Sequence, residues 1–256
     1  MRTVIKVGTS TLTHKTGHLN IRHMEELCKV ISDLKNSGDE IIFVSSGAIG
    51  MGIGKLSLAE RPKDMPFKQA VAAVGQCELM YTYDKYFSEY GHTIAQILLT
   101  GSDLQNEDRS RNFRNTVNCL LQLGALPIIN ENDSVATEEI AVGDNDTLSA
   151  IVAAETKADR LILLSDIDGL YTSDPKTDVN ATLISVVKEI TPEIELLGGG
   201  AGSSLGTGGM HTKLNAAKIC TENGTDMIIA NGADPKILYE IAEGKSVGTI
   251  FLKKEH

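Results

Sequence analysis

The chain has 256 residues, 41% of them apolar and 23% charged, enough to bury a core in one large α/β domain or two small ones. Its 24 Lys and Arg stand against 34 Asp and Glu, a formal charge of −10. That balance argues against a nucleic-acid backbone as partner, because such binding relies on clustered basic residues, but not against a single nucleotide held by a few N–H groups and lysines. No apolar run approaches the ~18 residues of a membrane span, and no charged n-region precedes a long apolar h-region at the N-terminus. No membrane partner and a cytoplasmic location are expected. Cys28, Cys77, Cys119 and Cys220 lie far apart without C-x-x-C spacing and are expected as buried, reduced thiols.

Nearly continuous Val, Ile and Leu runs predict strands buried on both faces, and longer amphipathic stretches predict helices. A strand over 3–7 leads to a helix over about 20–36, a strand over 40–45 and a long helix over about 65–90. A strand over 93–99 then precedes a helix over about 111–123, a strand over 126–130 and a helix over about 146–156. After a strand over 160–165 come a helix over about 210–222, a strand over 226–230, a helix over about 235–243 and a strand over 249–252. This alternation predicts an α/β fold around a mainly parallel sheet. Apart from the glycine-rich stretch 198–209, no repeat, linker or low-complexity block interrupts it, so one domain of two lobes is expected.

In parallel sheets, ligands sit beyond the carboxyl ends of the strands. Four predicted strands end there in small, polar or acidic residues: Gly8-Thr9-Ser10, Ser45-Ser46-Gly47-Ala48, Asn130-Glu131-Asn132-Asp133 and Asp166-Ile167-Asp168-Gly169. Each alone is ordinary turn chemistry, but four on one edge point to a site. Ile49–Leu56 fails as a G-x-x-x-x-G-K-S/T loop, with Ile49 at the first glycine and Leu56 at the hydroxyl, and no G-x-G-x-x-G is present. There remains Gly206-Thr207-Gly208-Gly209-Met210-His211-Thr212-Lys213 ahead of a helical segment, a pattern that offers free N–H groups and a lysine to phosphate. Lys6 sits inside an apolar first strand, where its charge costs desolvation energy unless it reaches water or an anion. Two lysines converging from separate strand–loop units suit phosphoryl transfer, which rests on positioning and charge neutralisation.

These stretches, with Val142-Gly143-Asp144-Asn145-Asp146 and Leu163 through Pro175, resemble the amino-acid kinase superfamily over essentially the whole chain. The paired N-E-N-D and G-D-N-D stretches are similar to the glutamate 5-kinase family within it. The resemblance implies a three-layer αβα sandwich, with an amino-acid-binding lobe over about 1–150 and an ATP-binding lobe over about 151–256. It implies ATP-dependent phosphorylation of the L-glutamate side-chain carboxylate, with Mg²⁺ bridging phosphates and proline as feedback inhibitor of the pathway. A C-terminal PUA domain found in many members is expected to be absent, since the chain stops at His256 after the kinase pattern.

On this resemblance Lys6 and Lys213 contact the phosphoryl oxygens, and Asp146 orients them by ion pairing. Asp133 partners the amino-acid ammonium, with Ser46, Gly47, Asn130 and Asn145 completing that pocket. Gly8, Ser165, Asp166, Thr207, Gly208, Gly209, Met210, His211 and Thr212 line the nucleotide phosphates with the two lysines, and no residue is assigned as a metal ligand. His211 takes no catalytic part, and Asp168-Gly169 is read as a structural turn. Arg109, Arg111 and Arg114 are read as a solvated face or subunit contact. Met80, Tyr81 and Tyr83 fit either core packing or the face of an expected homo-oligomer. Sister kinases for N-acetylglutamate, carbamate, a nucleoside monophosphate or isopentenyl phosphate, or a non-catalytic sensor, are the rival readings.

Overall fold

The computed structural model describes residues 1–14, 18–136, 144–199 and 209–254. The first half runs β1 (Arg2–Val7), α1 (Thr9–Leu12), α2 (Ile21–Asn36), β2 (Glu40–Ser45), α3 (Ala48–Lys55), α4 (Met65–Glu89), β3 (Ile94–Leu99), α5 (Gly101–Gln105) and α6 (Glu107–Gln122). The second runs β4 (Leu126–Glu131), α7 (Asn145–Glu155), β5 (Arg160–Ser165), β6 (Val186–Val187), α8 (Pro192–Leu197), α9 (Met210–Glu222), β7 (Asp226–Asn231), α10 (Ile237–Ala242) and β8 (Thr249–Phe251). The strands form one sheet in the order β3-β4-β2-β1-β5-β7-β8-β6, with every pair parallel except β7 and β8.

Side chains alternate across the sheet, and the two faces build separate cores. Ile5 and Val7 of β1 pack with Leu27 and Ile31 of α2 and with Leu79 and Tyr83 of α4. Val4 faces the other way, towards Ala150 and Val152 of α7 and Ala216 and Ala217 of α9. The result is the αβα sandwich that the resemblance implies, around the mainly parallel sheet expected from the alternating elements. By the same alternation Lys6 shares the Val4 face, under α7 and α9.

The strand predictions hold to within about one residue at either end, because β1, β2, β4 and β5 are buried along nearly their whole length and carry unbroken apolar runs. One helix start and the burial of two thiols differ from expectation. The helix expected from residue 111 begins at Glu107, where the Asn106 side chain accepts a hydrogen bond from the Arg109 N–H at 3.0 Å and Glu107 and Asp108 face the helix dipole. That polar first turn hid it from apolar spacing. Cys77 and Cys119 are exposed on α4 and α6, correcting the expectation that all four thiols are buried; Cys28 and Cys220 are buried. Tyr83 belongs to the core, whereas Tyr81 is on the surface. Among the described residues no helix is long and apolar enough to cross a membrane.

The stretch 49–55 lies in helix α3, with Leu56 as its C-cap, and two glycines there and in α4 let the helices touch backbone to backbone. A Cβ at Gly75 would overlap the Ala48 carbonyl oxygen, and one at Gly52 the Val71 carbonyl oxygen. In an exposed helix, glycine to alanine stabilises by up to about 1 kcal/mol. Here the sign reverses: Gly75→Ala is expected to cost about 2 kcal/mol by overpacking and to lower the thermal midpoint by roughly 4–8 °C. A raised midpoint in a melting experiment would refute the close contact.

Candidate active site

β1 is the strand at which the order of the sheet turns, with β2 on one side and β5 on the other, and a crevice opens at such a point. A cleft of about 420 Å³ lies at the carboxyl ends of β1, β2, β4 and β5. Lys6 sits in register with Val44 and Leu163 of its two neighbours. Its Nζ donates to Asp146 Oδ1 at 2.6 Å, and Lys213 Nζ donates to Asp146 Oδ2 at 3.0 Å. Thr212 Oγ1 also lies 3.0 Å from Asp146 Oδ2.

Local sequence explains why each group arrives there. Asp144 caps α7, accepting from the Thr147 N–H at 2.8 Å, and so places Asp146 in the first turn, where the helix dipole favours an anion. Lys213 stands near the start of α9, the unfavourable end for a cation, and Asp146 offsets that charge. Lys6 and Lys213 are both buried, and the Asp146 side chain is only 1% exposed. Burial acts to raise the Asp146 carboxyl, but the charges and hydrogen bonds of Lys6 and Lys213 outweigh it and hold the carboxyl below its ordinary range. Gly8 follows β1 so closely that a Cβ there would lie 3.7 Å from Lys6 Nζ.

A second, neutral network flanks this cluster. Asn145 Nδ2 reaches Ser46 Oγ at 2.7 Å, Asn130 Oδ1 at 3.0 Å and the Ser45 carbonyl at 3.2 Å. Asn130 Nδ2 in turn donates to Gln76 Oε1 on α4 at 2.9 Å. Gly47 turns the chain from β2 into α3 at φ +104°, a conformation that excludes most other residues. Behind it the fully buried Tyr83 hydroxyl lies 2.7 Å from Ser45 Oγ and pins the end of β2.

Asp133 lines the cleft beyond β4. Burial pushes its carboxyl up, and the positive charge of Arg61 opposes this without cancelling it. Ser165 is buried and Asp166 exposed at the end of β5, both in the cleft wall. Among the described residues no three His, Cys, Asp or Glu converge as metal ligands.

The structure thus brings Lys6, Gly8, Ser46, Gly47, Asn130, Asp133, Asn145, Asp146, Ser165, Asp166 and Lys213 to one cleft. Thr207 and Gly208 lie outside the described residues. Gly209, Met210 and His211 stand at the start of α9 away from the described cleft lining, His211 exposed beside Asn215. Asp168 accepts from Asn231 Nδ2 and the Tyr171 hydroxyl, as suits a structural turn. Arg109 and Arg114 pair with Asp103 and Glu155, and Arg111 with Asp108, a solvated face and not a basic patch. Sequence reading missed Gln76, Arg61, Glu131 and Asp144 as wall or support residues. Glu131 and Asp144 stood inside the N-E-N-D and G-D-N-D stretches without a role of their own, and Gln76 left a signal as an amide within the buried stripe of Ala72, Gly75 and Leu79.

A sequence model of the amino acid kinase family matches residues 1–231, and the chain belongs to that family. It is 54% identical to a glutamate 5-kinase of Clostridium perfringens, over 99% of this chain and 96% of that protein. It is 57% identical to one of Clostridium tetani, over 97% and 93%. Within the family, the chain is an enzyme of the glutamate 5-kinase group. Solved structures with the same fold include isopentenyl phosphate kinase of T. acidophilum, at TM-score 0.68 and 16% identity over 98% of this chain and 100% of that one. UMP kinase of Bacillus anthracis aligns at TM-score 0.65 and 15% identity over 99% and 96%.

Asp146→Asn leaves two buried ammonium groups beside a neutral amide and is expected to destabilise the fold by about 3–5 kcal/mol. The folded-state carboxyl titrates below its unfolded value, so its contribution is present above the ordinary carboxylate range near ~4 and is lost as pH falls through and below it. Denaturant midpoints measured between neutral and acid pH should therefore fall more steeply in the native protein than in the variant. Equal slopes would mean that the lysines do not hold Asp146 ionised.

Proposed function

We propose that the chain transfers the γ-phosphoryl group of ATP to the γ-carboxylate of L-glutamate, forming L-glutamyl 5-phosphate at the start of proline biosynthesis. The observation that carries this reading is the convergence of Lys6 and Lys213 on one buried carboxylate at the carboxyl edge of the sheet, in a chain of this family. A carboxylate with pKa near ~4.3 is already ionised at neutral pH, so its oxygen attacks phosphorus without a general base. The new O–P bond forms as the β,γ-bridging bond breaks, and the electron pair leaves with ADP. The difficulty is repulsion between two anions, and Lys6 and Lys213 neutralise it at the transferred group and the leaving oxygen. Asp146 takes no proton; it fixes both ammonium groups in place. The turns at Gly8 and Gly47 present backbone N–H groups to the phosphoryl oxygens.

Asp133 would take the ammonium of the amino acid, whose charge relieves the half-buried carboxylate. N-acetylation removes that charge and leaves Asp133 unpaired, which disfavours the acetylated acceptor. Ser46, Asn130 and Asn145 supply hydroxyl and amide groups to the same end. Ser165, Asp166 and the segment from Thr207 to Lys213 would hold ATP, with the amino acid in the lobe before about residue 150 and ATP in the lobe after it. Asp144 and Asp166 line the cleft, and among the described residues no three such groups converge as metal ligands, a donor set that fits a magnesium ion held chiefly by phosphates and water. Bound there, magnesium would supply further neutralisation of phosphate charge. A cytoplasmic homo-oligomer inhibited by proline completes the reading.

The test is ADP release from Mg²⁺-ATP by the purified protein, with L-glutamate, N-acetyl-L-glutamate, L-aspartate, carbamate and UMP as acceptors and hydroxylamine to trap an acyl phosphate. Turnover confined to L-glutamate, hydroxamate formation and suppression by proline are expected. Another preferred acceptor would overturn the pocket assignment, and amino-acid binding without ADP formation would overturn the catalytic reading. Lys6→Ala and Lys213→Ala should each lower kcat by about 10²-fold or more with smaller effects on KM. Asp133→Ala should chiefly raise the KM for glutamate.

A further inference from the structure

The acceptor end of the cleft carries one cation that the phosphoryl chemistry does not use. Among the described lining residues the cationic side chains are Lys6, Lys213 and Arg61. The two lysines are committed to Asp146. Arg61 lies between α3 and α4, is exposed at the cleft, and among the described residues forms no hydrogen bond or ion pair. Arg61 and Asp133 line the same cleft, and the guanidinium charge opposes the upward push of burial on the Asp133 carboxyl.

L-Glutamate brings three charged groups to this site. Its γ-carboxylate must lie at the lysine end, and its ammonium matches Asp133. The α-carboxylate then needs a cationic donor near Asp133, and a guanidinium offers a planar fork that meets both carboxylate oxygens. We propose that Arg61 binds the α-carboxylate of the acceptor amino acid, forming with Asp133 a paired reader of the zwitterionic head group. This rests on the acceptor reading above and adds a specificity-determining residue to it.

L-Isoglutamine keeps the γ-carboxylate and the ammonium but replaces the α-carboxylate with a neutral amide. The native protein should use it less well than L-glutamate by about 10- to 100-fold in kcat/KM, the range for a charge-assisted hydrogen bond. In Arg61→Ala the KM for L-glutamate should rise by a similar factor with kcat within a few-fold, and the preference over isoglutamine should collapse towards one. Arg61→Gln should behave like alanine, and Arg61→Lys should restore part of the preference. Thermal unfolding of each variant checks that the fold is kept, as expected for an exposed loop side chain. Unchanged preference in Arg61→Ala, or a loss confined to kcat, would overturn the assignment while leaving the kinase reading intact. If the native protein phosphorylates another acceptor and not L-glutamate, the acceptor reading above fails and this one with it.

Discussion

Three largely buried charges, Asp146 between Lys6 and Lys213, set the terms for the rest of this molecule. Each alone would cost several kcal/mol to bury, and the group is tolerable only because the geometry is tight, with two ammonium groups within 3.0 Å of one carboxylate. The three residues come from β1, α7 and α9, separated by 140 and 67 residues in the chain. Holding them together therefore requires the sheet order, the helix starts and the packing of α7 and α9 on one face to be right at once.

The surrounding fold can be understood as support for that edge. Alternation along β1 sends Ile5 and Val7 into one core and Lys6 into the opposite face. The glycine-mediated approach of α3 to α4 positions Gln76 against Asn130, and Asn130 against Asn145, so neutral groups beside the cluster are also fixed. Tyr83 links the α4 core to the end of β2 through Ser45. Rigid elements thus carry every strand-end group in the cleft, which keeps the cost of ordering out of the binding step.

The two ends of the cleft differ in kind. At the lysine end the charges are matched within the protein, and the carboxyl of Asp146 is held low. At the other end Asp133 is pushed up by burial and only partly opposed by Arg61. The first arrangement is matched internally; in the second, the positive charge of Arg61 offsets the burial of the Asp133 carboxyl only in part.

Much of this could be read from the sequence, for a physical reason. Strands buried on both faces must be continuously apolar, so β1, β2, β4 and β5 announced themselves, and their polar tails marked the binding edge. Lys6 stood out as a charge in an apolar strand and Lys213 as a lysine behind a glycine-rich stretch, and Asp133 and Asp146 followed from motif resemblance. Local pattern did not reveal α3, whose glycines resembled a failed phosphate loop, or the polar first turn of α6. It also gave no hint of Arg61, since a lone arginine in a loop has no periodicity, and it left Cys77 and Cys119 on the wrong side of the surface. What the sequence determined by itself was the class of fold and the residue types at the strand ends, because both depend on spacing within a single element. Which residues meet was decided only by the tertiary structure, because the order β2-β1-β5 and the crossing of α7 and α9 bring together groups that no local spacing relates.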